Sequence, residues 1–184
     1  MGDINVFVGP MKSGKSQRMF NELHRQEIAG KEILIFKPQL DNRAGEQYIS
    51  TRAGEKIKAI NISQIEELVN YDSDVYFIDE FQFLQGDVTT IEQLAQNGKK
   101  FYISGLNLTS EKKPFGKMGD LMCIADNVQL LTSVCEKCKC DNAIFSYFKG
   151  NKNTDIQVGD SEYLPVCRKC YNELNKEEEQ KCQR

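Results

Sequence analysis

Apolar residues along the chain gather into short runs separated by glycine-punctuated polar stretches. Ile4-Asn5-Val6-Phe7-Val8, Ile33-Leu34-Ile35-Phe36, Val75-Tyr76-Phe77-Ile78, Phe101-Tyr102-Ile103-Ser104-Gly105-Leu106 and Val128-Gln129-Leu130-Leu131 read as strands. Between them, residues 16–29 carry Met19, Phe20, Leu23 and Ile28 at helical spacing and stop at Gly30. A second helix is expected over 62–69 with a Ser63-x-x-Glu66 capping box, and a third over 88–97, closed by Gly98. Strands alternating with helices imply a mainly parallel sheet with crossover helices. The polar stretch 39–56, which contains Asp41, Arg43 and Gly45, reads as a long loop, and its length points to binding. The charged, apolar-poor segment 175–184 is expected to fray.

The first strand runs directly into Gly9-Pro10-Met11-Lys12-Ser13-Gly14-Lys15-Ser16, which satisfies every fixed position of the G-x-x-x-x-G-K-[ST] phosphate-binding loop. A glycine-rich turn between strand and helix aims backbone N–H groups and the helix dipole at phosphates, so the chain is expected to bind ATP or GTP. Gly9 and Gly14 permit the turn and the close approach, Lys15 reaches the β- and γ-phosphates, and Ser16 ligates magnesium. Lys12 reads as a solvated loop residue. The competing reading is a strand-to-helix turn that fits by coincidence.

The strand at 75–78 ends in Asp79-Glu80, as a Walker B segment does. A parallel strand beside the first would bring Asp79 to the edge of the sheet that carries the loop, where it can hold the magnesium ion through water. Glu80 then stands next to the γ-phosphate, free to accept a proton from an attacking hydroxyl. The single histidine, His24, lies in the first helical segment and reads as a surface or packing residue.

Cys135-x-x-Cys138 and Cys167-x-x-Cys170 form two close pairs separated by residues 139–166. Four thiolates so spaced fit a tetrahedral structural zinc site; two redox pairs or disulfides are the alternatives. Four sulfur ligands leave no place for water, so such a metal folds the tail and does no chemistry. Cys140 competes as a ligand, although the x-x spacing favours Cys138. Cys123 is read as core, and Cys182 as an exposed terminal thiol.

Composition narrows the function classes. With 184 residues, 40% of them hydrophobic, the chain can build one α/β domain with a small appendage. No apolar stretch approaches the roughly 20 residues that a bilayer span needs. With 27 acidic against 24 basic residues, no basic nucleic-acid surface is indicated, and a small-molecule substrate is favoured over a polymer. The strand begins so near residue 1 that no targeting peptide is expected, and a cytoplasmic location follows.

Taken together, the phosphate loop, Asp41-Asn42-Arg43, Asp79-Glu80-Phe81-Gln82-Phe83, Pro114-Phe115-Gly116, the first cysteine pair and Tyr163-Leu164-Pro165-Val166-Cys167-Arg168-Lys169-Cys170-Tyr171 resemble the type II, zinc-containing thymidine kinases over nearly the whole chain. The resemblance implies transfer of the ATP γ-phosphoryl group to the 5′-hydroxyl of thymidine, as used in nucleotide salvage for DNA synthesis. It implies an α/β, P-loop (RecA-like), mainly parallel sheet with flanking helices and a small C-terminal zinc-anchored lasso. The corresponding divisions are 1–134 for the kinase domain, 135–174 for the lasso and 175–184 for a flexible tail. ATP, Mg2+ and a structural Zn2+ on Cys135, Cys138, Cys167 and Cys170 are the implied cofactors, and a homotetramer is the implied assembly. Glu80 is implied as the catalytic base and Arg43 as an additional cation. Gly9, Pro10, Met11, Lys12, Ser13, Gly14, Lys15, Ser16, Asp79 and Gln82 are assigned to nucleotide and metal. Met11, Asp41, Phe115, Leu121, Val158, Gly159 and Tyr163 are assigned to the nucleoside; ordinary core packing is the alternative for the apolar ones.

The chain departs from the family at three places. Thr51-Arg52 stands where the family often has Ser-His, Leu108-Thr109-Ser110 lacks a usual aromatic, and the segment before Tyr163 is about one residue shorter, shifting the register between Val158 and Glu162. Losing an aromatic wall would weaken or broaden pyrimidine selection, so deoxyuridine is a further candidate substrate. Two other classes compete: a polymer-stimulated ATPase motor, disfavoured by the short chain, and a zinc-ribbon binding module with a regulatory phosphate loop.

Overall fold

The computed structural model describes residues 2–41, 47–50, 54, 56–150 and 162–182. In chain order its strands are β1 (Ile4–Val8), β2 (Ile33–Pro38), β3 (Tyr48–Ser50), β4 (Lys56–Lys58), β5 (Ile60–Ile62), β6 (Val75–Ile78), β7 (Lys100–Gly105), β8 (Asn127–Leu130), β9 (Phe145–Phe148) and β10 (Tyr163–Val166). The α-helices are α1 (Lys15–Ile28), α2 (Thr89–Gln96), α3 (Met118–Ile124) and α4 (Arg168–Cys182). Six strands form one sheet in the order β5-β2-β6-β7-β1-β8, with every pairing parallel. All the expected strands are present, each within two residues of its sequence-based bounds.

Period-2 alternation sorts the central strands onto two faces. Ile4, Val6, Val8, Tyr76, Ile78, Phe101 and Ile103 face one core with Ile91 and Ala95 of α2 and Met118 and Leu121 of α3. Phe7, Val75, Phe77 and Tyr102 face the other, closed by Met19, Phe20 and Leu23 of α1. An aromatic file crosses each face. Phe36, Tyr76 and Phe101 stack at 5.7 and 5.1 Å on the first, and Phe7, Tyr102 and Phe77 at 6.3 and 4.9 Å on the second. Rings in neighbouring strands add attraction beyond the area they bury, which helps fix the strand register.

Several expectations need correction. β6 does not lie beside β1: β7 pairs with both and separates them. The helix expected over 62–69 is instead β5 followed by a 3-10 helix, Ile65–Asn70. Its capping box is also one residue later, because Glu67 rather than Glu66 accepts the Ser63 and Gln64 amides, each at 2.8 Å. Glu66 instead accepts the Asp87 amide at 2.7 Å. The polar stretch read as loop holds β3 and the first residue of β4, an antiparallel pair tied to β2 where the fully buried Lys37 donates to the Tyr48 carbonyl at 3.1 Å. Ile28, counted in the apolar stripe of α1, is 88% exposed. Cys123 is exposed on α3 and is not core. Finally, α4 continues to Cys182 through most of the segment expected to fray.

A third cluster gathers Cys135, Ala143, Phe145, Tyr147, Val166, Cys167, Cys170 and Tyr171 around the antiparallel β9–β10 pair. None of the described helices is long and apolar enough to cross a membrane.

Candidate functional site

The phosphate loop leaves the carboxyl end of β1 and enters α1 through Gly14, which caps the helix at φ 83°, a left-handed conformation that side chains disfavour. A side chain on Gly9 would place its Cβ 2.3 Å from the Leu131 carbonyl oxygen and 2.9 Å from Ser13 Oγ. Bare backbone is therefore required on both sides of the turn. Lys15 is buried, with its ammonium donating to the Pro10 carbonyl at 2.8 Å, folded back over the loop it belongs to. Ser13 Oγ is buried and finds no hydrogen-bond partner among the described residues. A buried hydroxyl without a partner costs stability, and a phosphate oxygen in the loop would satisfy it.

Ser16 Oγ donates to Asp79 Oδ2 at 3.3 Å, so the two side chains assigned to magnesium meet although β7 lies between their strands. The intervening strand takes part: Ser104 near the end of β7 donates its hydroxyl to Asp79 Oδ1, and the Glu80 amide donates to the same oxygen at 3.0 Å. The Asp79 carboxylate is thereby fixed with one oxygen toward Ser16. A hydroxyl and a carboxylate oxygen are the hard donors that Mg2+ takes, so this pair fits the ion.

Glu80 stands at φ 51° and ψ 40°, left-handed for a residue that is not glycine. Its carboxylate accepts the Gln82 side-chain amide at 2.5 Å, while Gln82 Oε1 accepts the Leu106 amide at 3.0 Å. Gln82 is 1% exposed, a buried bracket between β7 and the carboxylate. Gly116 presses its backbone onto the Gln82 carbonyl, which a Cβ there would approach to 2.2 Å, and Phe115 packs edge-on against Phe83 at 5.4 Å. The turn at Phe115 is therefore built onto the Glu80–Phe83 segment.

Of the other residues assigned to the nucleoside, Asp41 is buried just beyond β2 and Met11 is half-buried at the tip of the phosphate loop. Leu121 is fully buried within the main core, in keeping with the packing alternative. Tyr163 leans on Phe148 at 5.0 Å, and burial pushes its phenol up. Arg43, Val158 and Gly159 lie outside the described residues, as do Thr51 and Arg52.

Three contacts that sequence reasoning missed join the loop tip to the C-terminal unit. The Met11 amide donates to Ser146 Oγ on β9 at 3.0 Å, and Ser133 Oγ donates to the Lys12 carbonyl at 3.0 Å. Lys12, read as solvated, pairs its ammonium with Glu136 and holds φ 62°. Nothing local marks Ser104, Ser133, Glu136 or Ser146, since each meets its partner through the fold.

The Cys135, Cys138, Cys140 and Cys167 sulfurs all lie within 4.8 Å of one another, a donor set that could hold zinc. This set includes Cys140, which spacing had placed second to Cys138. Cys170, the fourth ligand expected from spacing, is not in this set and lies buried in the same cluster as Cys135 and Cys167. Burial opposes ionisation of Cys135, but the Cys138, Cys167 and Lys137 amides aim at its sulfur and bring the thiol down to about 6. The Cys170 amide likewise holds the Cys167 thiol down, and burial pushes the Cys170 thiol up. Amides converging on sulfur favour thiolates, the form that binds a metal.

A family model described as thymidine kinase matches residues 2–171. A thymidine kinase of Mycoplasma mobile is 38% identical over 188 residues, covering 99% of this chain and 92% of its own. A thymidine kinase of Bacteroides thetaiotaomicron is 34% identical over 184 residues, covering 98% and 92%. A thymidine kinase of Pseudothermotoga lettingae is 32% identical over 178 residues, covering 94% and 96%.

Proposed function

The chain belongs to the thymidine kinase family, and from that premise we propose that it transfers the γ-phosphoryl group of ATP to the 5′-hydroxyl of thymidine, giving thymidine monophosphate and ADP. The observation that carries this reading is the meeting of Ser16 with Asp79 at the mouth of the phosphate loop, with Glu80 adjoining on the chain. Phosphoryl transfer needs alignment and charge neutralisation more than covalent help. Gly9, Pro10, Met11, Lys12, Ser13 and Gly14 supply the loop that encloses the phosphates, and Lys15 leaves the Pro10 carbonyl to meet them. Ser16 and Asp79 would hold Mg2+, which when bound neutralises charge on the phosphates. Glu80 accepts the 5′-hydroxyl proton, and Arg43 adds a cation. Asp41, Met11, Phe115, Tyr163 and the Val158-Gly159 backbone form the nucleoside side of the site, with Leu121 packed in the core behind it. Zinc on four thiolates ties the ends of the segment between the cysteine pairs. A cytoplasmic homotetramer working in nucleotide salvage completes the reading.

The experiment is ADP release from purified protein with ATP and magnesium, with and without thymidine, and with deoxyuridine, deoxycytidine and deoxyadenosine as parallel acceptors. Thymidine-dependent release is expected, with deoxyuridine overlapping. One missing methyl group is worth only ~1–3 kcal/mol of discrimination. Folded, zinc-loaded protein that releases no more ADP with any nucleoside than without one would overturn the proposal.

A further inference from the structure

Four sulfurs of the C-terminal unit, those of Cys135, Cys138, Cys140 and Cys167, lie close enough to share one metal, a fifth thiol, Cys170, is buried in the same cluster, and zinc takes four. Sulfurs at the corners of a Zn–S4 tetrahedron with bonds of ~2.3 Å stand about 3.8 Å apart. The Cys138 sulfur is 3.7 Å from that of Cys167 and 3.4 Å from that of Cys140, so Cys140 occupies a ligand's position as well as Cys167 does. The backbone between the thiols explains how. Lys139 stands at φ 63°, turning the chain left-handed directly after Cys138, and the Cys135 amide closes onto the Cys140 carbonyl at 2.7 Å. That tight loop folds Cys140 back over the Cys135–Cys138 pair. Its thiol also donates to Asn142 Oδ1 at 2.8 Å, a partner to which it can return when it does not bind the metal. Cys170, near the start of α4 and 2% exposed, packs in the same buried cluster as Cys135 and Cys167.

We propose that Cys140 and Cys170 are interchangeable fourth ligands of the metal, completing a site whose fixed members are Cys135, Cys138 and Cys167. This rests on the zinc reading given above. In one arrangement Cys170 ligates and Cys140 hydrogen bonds Asn142; in the other Cys140 ligates and Cys170 remains a buried thiol in the cluster with Cys135 and Cys167. No oxidation occurs in the exchange. One thiolate leaves the metal and takes up a proton as the other thiol gives one up. The metal therefore keeps four sulfurs while its tie to α4 opens and closes.

The test is zinc content of the full-length chain after gel filtration, measured with a chromogenic chelator, for the native protein and for Cys135→Ser, Cys140→Ser, Cys170→Ser and the Cys140→Ser/Cys170→Ser double variant. The expected result is one zinc per chain in the native protein and in both single variants at 140 and 170, with zinc lost in Cys135→Ser and in the double variant. Zinc lost in a folded Cys170→Ser alone would overturn the exchange and leave the zinc reading standing, whereas native protein without zinc would overturn both. Because Cys170→Ser could fail to fold, a second measurement uses native protein. Alkylation of Cys140, followed by mass spectrometry, should slow several-fold when zinc is restored to chelator-treated chain; an unchanged Cys140 rate while Cys135 and Cys138 become protected would overturn the inference.

Discussion

Glu80 shows how one residue's backbone serves its side chain. The left-handed conformation at φ 51° costs on the order of 1–3 kcal/mol and survives only where its surroundings enforce it. Here the enforcement is the Asp79 carboxylate taking the Glu80 amide and the Gln82 amide gripping the Glu80 carboxylate. Glu80→Gln should keep ATP binding and lose ~10²-fold or more of kcat, measured as thymidine-dependent ADP release beside nucleotide binding. Unchanged turnover would remove Glu80 from the role of base. Gln82→Met should fill the same volume without donating to Glu80, lowering kcat ~10-fold with KM nearly unchanged, the size expected for a charge-assisted hydrogen bond. Made together with Glu80→Gln it should cost little more, since the two act as a unit; additive losses would make Gln82 a structural residue only.

At the scale of elements, the phosphate loop is held from outside as well as by its own sequence. Ser146→Ala removes the acceptor for the Met11 amide and should raise KM for ATP severalfold, about 1 kcal/mol, while the melting temperature moves little. An unchanged KM would mean that the contact is not maintained in the working enzyme. Similarly, the Tyr171 hydroxyl donates to the Ser110 carbonyl at 2.6 Å, joining α4 to the β7–α3 connection. Tyr171→Phe should destabilise by about 1 kcal/mol in denaturant titration, and no change would show that water replaces the bond freely. These contacts also explain what the sequence could and could not convey. The phosphate loop and Asp79-Glu80 were legible because each is a contiguous string attached to an apolar strand. Ser104, Glu136 and Ser146 were not, because their partners lie 25, 124 and 135 positions away. The β3–β4 hairpin was invisible because each short strand offers one inward apolar residue, Ile49 or Ile57, too few for a period to register. Ser63-x-x-Glu66 satisfies a capping pattern for a helix over 62–69, while the backbone starts a 3-10 turn one residue later, capped at Gln64.

At the scale of the whole molecule, the parallel sheet delivers the loop, Asp79 and Ser104 to the ends of three neighbouring strands, and the thiol-rich unit sits against the loop. Removing the metal with a chelator should therefore weaken ATP binding and not only disturb the C-terminal segment; undiminished ATP affinity in metal-free, folded protein would contradict this. The join at Met11, Lys12, Ser133, Glu136 and Ser146 carries a further thermodynamic obligation. If zinc tightens ATP binding by some factor, ATP must tighten zinc binding by the same factor, because both paths lead to one doubly loaded state. The cell's supply of nucleotide would then set how firmly the protein keeps its metal, and a kinase starved of ATP would be the one that surrenders zinc first.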